Sequence, residues 1–295
     1  MELRVLGYFI AVAEEQGILK AAERLHITQP TLSRQLAQLE EETGAVLFER
    51  NAHGITLTEE GLLLYRRAKE ITELAQHTLE DLKNHDVELS GTISIGTGEL
   101  ANTRTVASLC RDFRLMHPHV HFRIDAGDAD TIKERISTGL LDLGLLLEPV
   151  DTKDYDYIRL PLPEPWAVMV KTDHPLAEKT YITKEDLVSQ PLVMPGRPEI
   201  QGELANWFGR EVSSLNVTVT TRLASMAAVF VLEGNGCALV IEGFKPLWNP
   251  QEIVLRRFRP ELSSRAVLAV KRSQPQSTAV KTFMAYVKKR YANEA

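Results

Sequence analysis

The chain has 295 residues, 44% of them hydrophobic and 25% charged, with a formal net charge of −6. That balance is ordinary for a globular protein, excludes a fibrous or wholly disordered chain, and at this length suggests two or three domains. No apolar run reaches the roughly 18 residues that cross a bilayer, and Met1-Glu2-Leu3-Arg4 lacks the basic start and long apolar core of a secretory signal. Cys110 and Cys237 are the only cysteines; they make no disulfide framework, and a reducing cytoplasm is the expected compartment.

Residues 1–57 read as short helices and a hairpin. Leu3, Leu6, Phe9, Ile10 and Ala13 recur at helical spacing, and Gly17 marks a break. A second helix is expected from Ile18 to Leu25, with Ala21, Ala22 and Leu25 inward. Thr28 is placed as an N-cap and Pro30 in the first turn, where a missing N–H costs little. Leu32, Leu36 and Leu39 then share one face, Gly44 ends the helix, and Leu47–Arg50 and Ile55–Leu57 flank a tight turn at Asn51-Ala52-His53-Gly54. Residues 58–90 predict one long helix. Its seam of Leu64, Ala68, Ile71, Ala75, Thr78 and Leu82 has the rhythm of a short coiled coil that a second chain would bury, with packing on its own domain as the alternative.

From residue 91 to 295 strand and helix alternate. The expected order is a strand at Thr92–Gly96, a helix at Ala101–Met116, a strand at Val120–Asp125, a helix at Ala129–Thr138 and a strand at Leu143–Leu147. After Pro161, Pro163 and Pro165 the pattern restarts with Ala167–Lys171, a helix near Gly202–Phe208, Val217–Thr221, a helix at Met226–Glu233 and Ala238–Ile241. A late strand at Arg265–Lys271 and a closing helix at Thr278–Tyr291 follow. Two α/β lobes joined by crossing strands account for the proline cluster and the late strand, with lobe 1 at about 91–163 and 266–295 and lobe 2 at about 164–265.

The third helix carries chemistry. With its leucines inward, Pro30, Ser33, Arg34, Ala37 and Gln38 fall on the far side at about 100° per residue. That short polar face, cationic at Arg34, suits a major groove, where Arg pairs with guanine, Gln with adenine, and Ser with base or phosphate. Arg50 and His53 on the hairpin are placed to reach phosphate. The charge balance argues the other way: residues 1–90 hold nine Lys/Arg against sixteen Asp/Glu, and a solvated polar face on an ordinary three-helix domain is the competing reading.

The run Ala21-Ala22-Glu23-Arg24-Leu25-His26-Ile27-Thr28-Gln29-Pro30-Thr31-Leu32-Ser33-Arg34-Gln35-Leu36 resembles the DNA-binding segment of the LysR-type transcriptional regulators. So do Leu39-Glu40-Glu41-Glu42-Thr43-Gly44 and Leu47-Phe48-Glu49-Arg50, and Leu57-Thr58-Glu59-Glu60-Gly61 matches the start of that family's linker helix. The likeness is dense over about the first 65 residues and looser beyond. It implies a multidomain fold: a winged helix-turn-helix, a long dimerising linker helix, and a two-lobe α/β domain like the type II periplasmic binding proteins. It implies a homodimer or homotetramer on a two-fold double-stranded DNA operator, with Gln29, Thr31, Ser33 and Arg34 at base or phosphate and Arg50 and His53 in the wing. RNA polymerase is admitted as a further partner, and neither a membrane nor a cofactor is expected.

In such a two-lobe domain ligands sit at the carboxyl ends of strands, between the lobes. That points to Gly98, Glu99, Leu100, Ala101 and Asn102, to Asp128, to Pro195, Gly196 and Arg197, and to Ser225 as the site of a small-molecule effector. Glu99 and Asp128 as two carboxylates around one cleft disfavour an anion and favour a neutral or cationic ligand, but Arg197 and Arg222 are available as compensating charges, which leaves the sign of the ligand open. A stand-alone solute-binding protein would leave the first 90 residues unexplained. An enzyme would need a phosphate loop, a nucleophile elbow or a metal cluster, and none is legible; His117, His119 and His121 read as a surface turn, and Cys110 and Cys237 as structural thiols.

Overall fold

The computed structural model describes residues 1–51, 54–83, 89–243 and 249–291. The chain divides into two compact units, Met1–Lys83 and Asn84–Ala295.

The first unit contains α1 (Leu3–Glu15), α2 (Ile18–Arg24), α3 (Gln29–Thr43), the strands β1 (Phe48–Asn51) and β2 (Gly54–Leu57), and α4 (Glu59–Lys83). Leu6, Phe9 and Val12 of α1, Ala21 and Ala22 of α2, and Leu32, Leu36 and Leu39 of α3 form one core with Leu47 and Ala68. The breaks are geometric. Gln16 closes α1 at φ 52° and Gly17 is extended, while Gly44 closes α3 at φ 66°, a left-handed value that suits a residue without Cβ. Thr28 caps α3 by position only: its hydroxyl bonds the Thr31 hydroxyl (2.8 Å) instead of a free N–H.

The hairpin is fastened to the helices by backbone. Glu40 Oε1 on α3 accepts the Leu47 N–H at 2.7 Å, and the Gln16 carbonyl accepts the Ile55 N–H at 3.1 Å. Thr58 donates its N–H to the Leu47 carbonyl (3.1 Å) and its hydroxyl to the Val46 carbonyl (2.7 Å). The same hydroxyl accepts the Gly61 N–H (2.9 Å), capping α4. Glu14 of α1 gathers Arg24 of α2 and Lys69 of α4 at 2.9 and 3.0 Å, and these cations, Lys69 foremost, hold its carboxyl below the usual range.

The expected seam of α4 is corrected in part. Leu64 and Ala68 pack into this unit's own core, Ala68 completely, because α4 lies against α1. The exposed apolar residues of α4 are Leu62 and Leu63 in its first turns and Ile71, Leu74 and Leu79 further along; the Leu82 side chain lies outside the described residues.

The second unit holds two sheets. The first lobe is built from β3 (Gly91–Thr97), α5 (Thr103–Met116), β4 (Val120–Ala126), α6 (Ala129–Ser137), β5 (Leu143–Leu147) and β6 (Tyr155–Arg159). The chain then supplies β7 (Glu164–Lys171), β8 (Tyr181–Ile182), α7 (Lys184–Leu187), β9 (Leu192–Pro195), α8 (Pro198–Phe208), β10 (Val217–Thr221), α9 (Ala224–Leu232), β11 (Cys237–Ile241), β12 (Ile253–Phe258) and β13 (Ser263–Ser264) to the second lobe. It returns to the first with β14 (Ala266–Lys271) and α10 (Thr278–Tyr291). The strand orders are β4-β3-β5-β14-β6 and β10-β9-β11-β7-β12-β8, with β13 paired to β7. In the first sheet β3 runs parallel to β4 and β5, while β14 is antiparallel to β5 and β6. α10 closes this lobe by setting Phe283 edge-on to Phe113 and Phe122, each at 5.1 Å.

Strands β6, β9 and β12 are absent from the sequence expectation for physical reasons. β6 buries only Tyr155, β9 is four residues long and ends in proline, and β12 carries Arg256 and Arg257 where an apolar run was sought. α6 lies flat on the first sheet because Gly96 and Gly144 have no side chain. A Cβ on Gly144 would stand 2.7 Å from Ile132, and one on Gly96 would stand 2.7 Å from Leu141.

Gly61 is the tightest of these approaches in the first unit, since a Cβ there would stand 2.0 Å from the Leu47 carbonyl oxygen. A backbone carbonyl cannot swing aside as a side chain can. Gly61→Ala is expected to cost roughly 1–3 kcal/mol, the usual range for overpacking, and to lower the thermal midpoint. A variant that melts with the parent would show that the hairpin is not pinned to α4.

Candidate nucleic-acid interface and ligand cleft

In the first unit, burial of Leu32, Leu36 and Leu39 turns the opposite side of α3 outward. Gln29, Pro30, Thr31, Arg34 and Gln38 are exposed and Ser33 is half-buried. Gln38 donates to Glu42 at 3.3 Å. Several basic side chains of this unit are held by carboxylates: Arg4 by Glu2, Arg24 by Glu14 and Glu15, Arg67 by Glu70. Arg34 has no such partner among the described residues. The acidic excess of the sequence is thus partly internal, and the face of α3 keeps a cation free to donate. The Arg50 side chain and His53 lie outside the described residues.

In the second unit, the segments after β3, β4, β9 and β10 meet around a cleft of about 710 Å³, its open mouth included. Its walls are apolar: Leu100, Leu145 and Leu147 on the first lobe, Trp166, Ile200, Leu239 and Ile241 on the second. The Trp166 indole N–H is satisfied by the Ser264 hydroxyl at 2.9 Å, so the ring contributes only surface. Gly98, Glu99, Leu100, Asp128, Pro195, Gly196 and Arg197 line the space, and Ser225 stands beside Ala224, which lines it.

The polar groups at the cleft reach from lobe to lobe. Glu99 Oε2 accepts the Ser225 N–H, on the first turn of α9, at 2.7 Å. Asp128 caps α6 by accepting the Thr131 N–H at 2.9 Å and pairs with Arg222 at 3.3 Å, and Arg222 also donates to the Thr131 hydroxyl at 3.2 Å. Arg197 donates to the carbonyls of Leu147 and Pro149 at 3.2 and 3.0 Å.

One expectation is corrected here. Ala101 and Asn102 do not line the cleft. Asn102 is fully buried, and its N–H and side-chain amide, with the Ala101 N–H, donate to Glu164 at 2.7–2.9 Å, while the amide also reaches the Leu162 carbonyl. Glu164 opens β7, so this cluster joins the lobes where the chain crosses. Burial pushes the Glu164 carboxyl up, against the pull of those donors. As for charge, Arg222, one of the two compensating cations expected, pairs with Asp128, and a helix amide engages Glu99. The apolar lining had no distinct signal in the sequence, since cavity wall and core are both built from Leu, Ile and Trp. Cys110 and Cys237 are half-buried and buried, and burial pushes their thiols up to about 12 and about 11, the opposite of a reactive thiolate.

Comparison with known proteins identifies both domains. Residues 3–62 match the model of the bacterial regulatory helix-turn-helix protein, lysR family, and residues 86–292 match the LysR substrate binding domain. The Hca operon transcriptional activator HcaR of Escherichia coli (strain K12) is 31% identical over 99% of this chain and 99% of its own. Among solved structures, CbnR, a LysR family transcriptional regulator, shares the fold with a TM-score of 0.76 at 23% identity, over 98% of this chain and 99% of its own. CbnR complexed with its target DNA gives 0.73 at 23% identity, over 98% and 99%. These relatives are regulators, not enzymes, and among the described residues no helix is long and apolar enough to cross a membrane. The chain belongs to the LysR family of transcriptional regulators, with a helix-turn-helix that binds DNA and a second domain that binds an effector.

Proposed function

We propose that this regulator reads its operator with Gln29, Thr31, Ser33 and Arg34, and that an effector with an apolar body and one polar end fills the cleft between the lobes. The observation that carries the first part is Arg34, an exposed cation without a partner among the described residues, on a helix whose other face is core. Gln29 and Thr31 stand a turn ahead of it, so one helix offers base-reading and phosphate-reading groups together. The apolar walls of the cleft support the second part. The exposed row Ile71, Leu74 and Leu79 on α4 supports a homodimer, or a tetramer built from two, formed through that helix. Residues 1–57, 58–90 and 91–295 then act as reader, linker and sensor. RNA polymerase enters as a partner if this chain, like the relative named an activator, activates, and the cytoplasm is where such a protein meets DNA.

Arg34→Ala should reduce discrimination between operator and random duplex by roughly 1–3 kcal/mol, the range for one bidentate base contact. Gel-shift titration at several salt concentrations measures this, and an equal loss on both duplexes would make Arg34 a phosphate contact. Placing Asp at Ile71 and Leu74 puts charge into the exposed row of α4, where a paired interface would have to bury it. Sedimentation should show smaller species, and an unchanged assembly would locate the interface elsewhere.

A further inference from the structure

One lobe of the cleft supplies an anion to the other. Glu99 reaches from the segment after β3 to the Ser225 N–H, a free first-turn amide of the nine-residue α9. First-turn amides have no partner within their own helix and favour negative charge. Glu99 also lines the cavity whose walls include Leu100, Leu145, Trp166 and Leu239, so its carboxylate stands where a ligand in that cavity would meet it.

We infer that Glu99 determines the specificity of the cleft: its carboxylate occupies the anion position at the start of α9, so the cleft accepts neutral ligands with an apolar body and rejects monocarboxylates. This rests on the reading of the cleft as the effector site. A neutral ligand leaves the bond between Glu99 and Ser225 in place. A ligand carboxylate must displace Glu99 or lie beside it as a like charge in a partly desolvated space. The discrimination is therefore built from a repulsive element as much as an attractive one. Without the Glu99 carboxylate, the Ser225 N–H at the start of α9 loses its acceptor, and a ligand carboxylate can take that place.

The test is calorimetric titration of the full chain with short-chain and phenyl monocarboxylates, each beside its matching primary amide. The parent should favour the amide of each pair. Glu99→Ser, which vacates the position, should shift the ratio toward the acid by about tenfold or more, a change of about 1.4 kcal/mol. Glu99→Gln keeps an acceptor for Ser225 and removes only the charge, so it should fold as the parent does and shift the ratio less. Ala224→Phe, which crowds the cavity, should block acid and amide alike. A ratio unmoved in both Glu99 variants, or no gain of acid binding in either, overturns the role of Glu99. Binding that survives Ala224→Phe overturns instead the reading of the cleft as the site.

Discussion

The effector domain depends on strand β14. It lies between β5 and β6, antiparallel to both, and reaches that place only after the chain has built the second lobe. Its residues from Ala266 to Val270 are buried, so the middle of the first sheet closes only when the last strand arrives. The lobes therefore cannot be completed one after the other. The chain crosses between them twice, and Glu164, buried at the first crossing with Ala101 and Asn102 donating to it, joins them there. The cleft opens at the carboxyl ends of the strands because that is where those crossings leave the two sheets facing each other.

Charge in this protein is used largely as internal mortar. Asp128 caps α6 and pairs with Arg222, Glu99 accepts from α9, Glu40 accepts from the hairpin, and Glu14 holds Arg24 and Lys69. Most of these pairs are partly exposed, and exposed pairs contribute little stability. Their consequence lies in position: they set which polar groups remain free. Among the described residues Arg34 on α3 is such a group, exposed on the side of the helix opposite the core.

The first unit shows how a small core leaves a surface available for recognition. The buried leucines of α3 lie on one stripe, and Ala21 and Ala22 of α2 are both buried against the same core. A bulkier residue at Ala21 or Ala22 would push the second helix away and shift the polar face of the third. α4 places Leu64 and Ala68 on that core and leaves Leu62, Leu63, Ile71, Leu74 and Leu79 exposed. One helix thus serves the core with one face and keeps apolar residues outward on others.

Local pattern was enough wherever period and punctuation agree. The leucine stripe of α3, its proline in the first turn and Gly44 at its end were legible, as were the stretches of alternating strand and helix, because short-range sterics and amphipathic burial decide them. The likeness of residues 21–61 to one regulator family was legible for the same reason: helix-turn-helix side chains are set by local geometry. The sequence did not distinguish a cavity wall from a core, since Leu145 and Trp166 look the same in either. It placed Asn102 with the ligand because it lies beside Glu99, whereas folding turned it toward Glu164, 62 residues away. It offered both Arg197 and Arg222 as counter-charges to Glu99 and Asp128, and only the tertiary structure paired Arg222 with Asp128 and brought the Ser225 N–H to Glu99. The partner of a polar group is chosen by which distant backbone arrives next to it, and that depends on the packing of whole lobes.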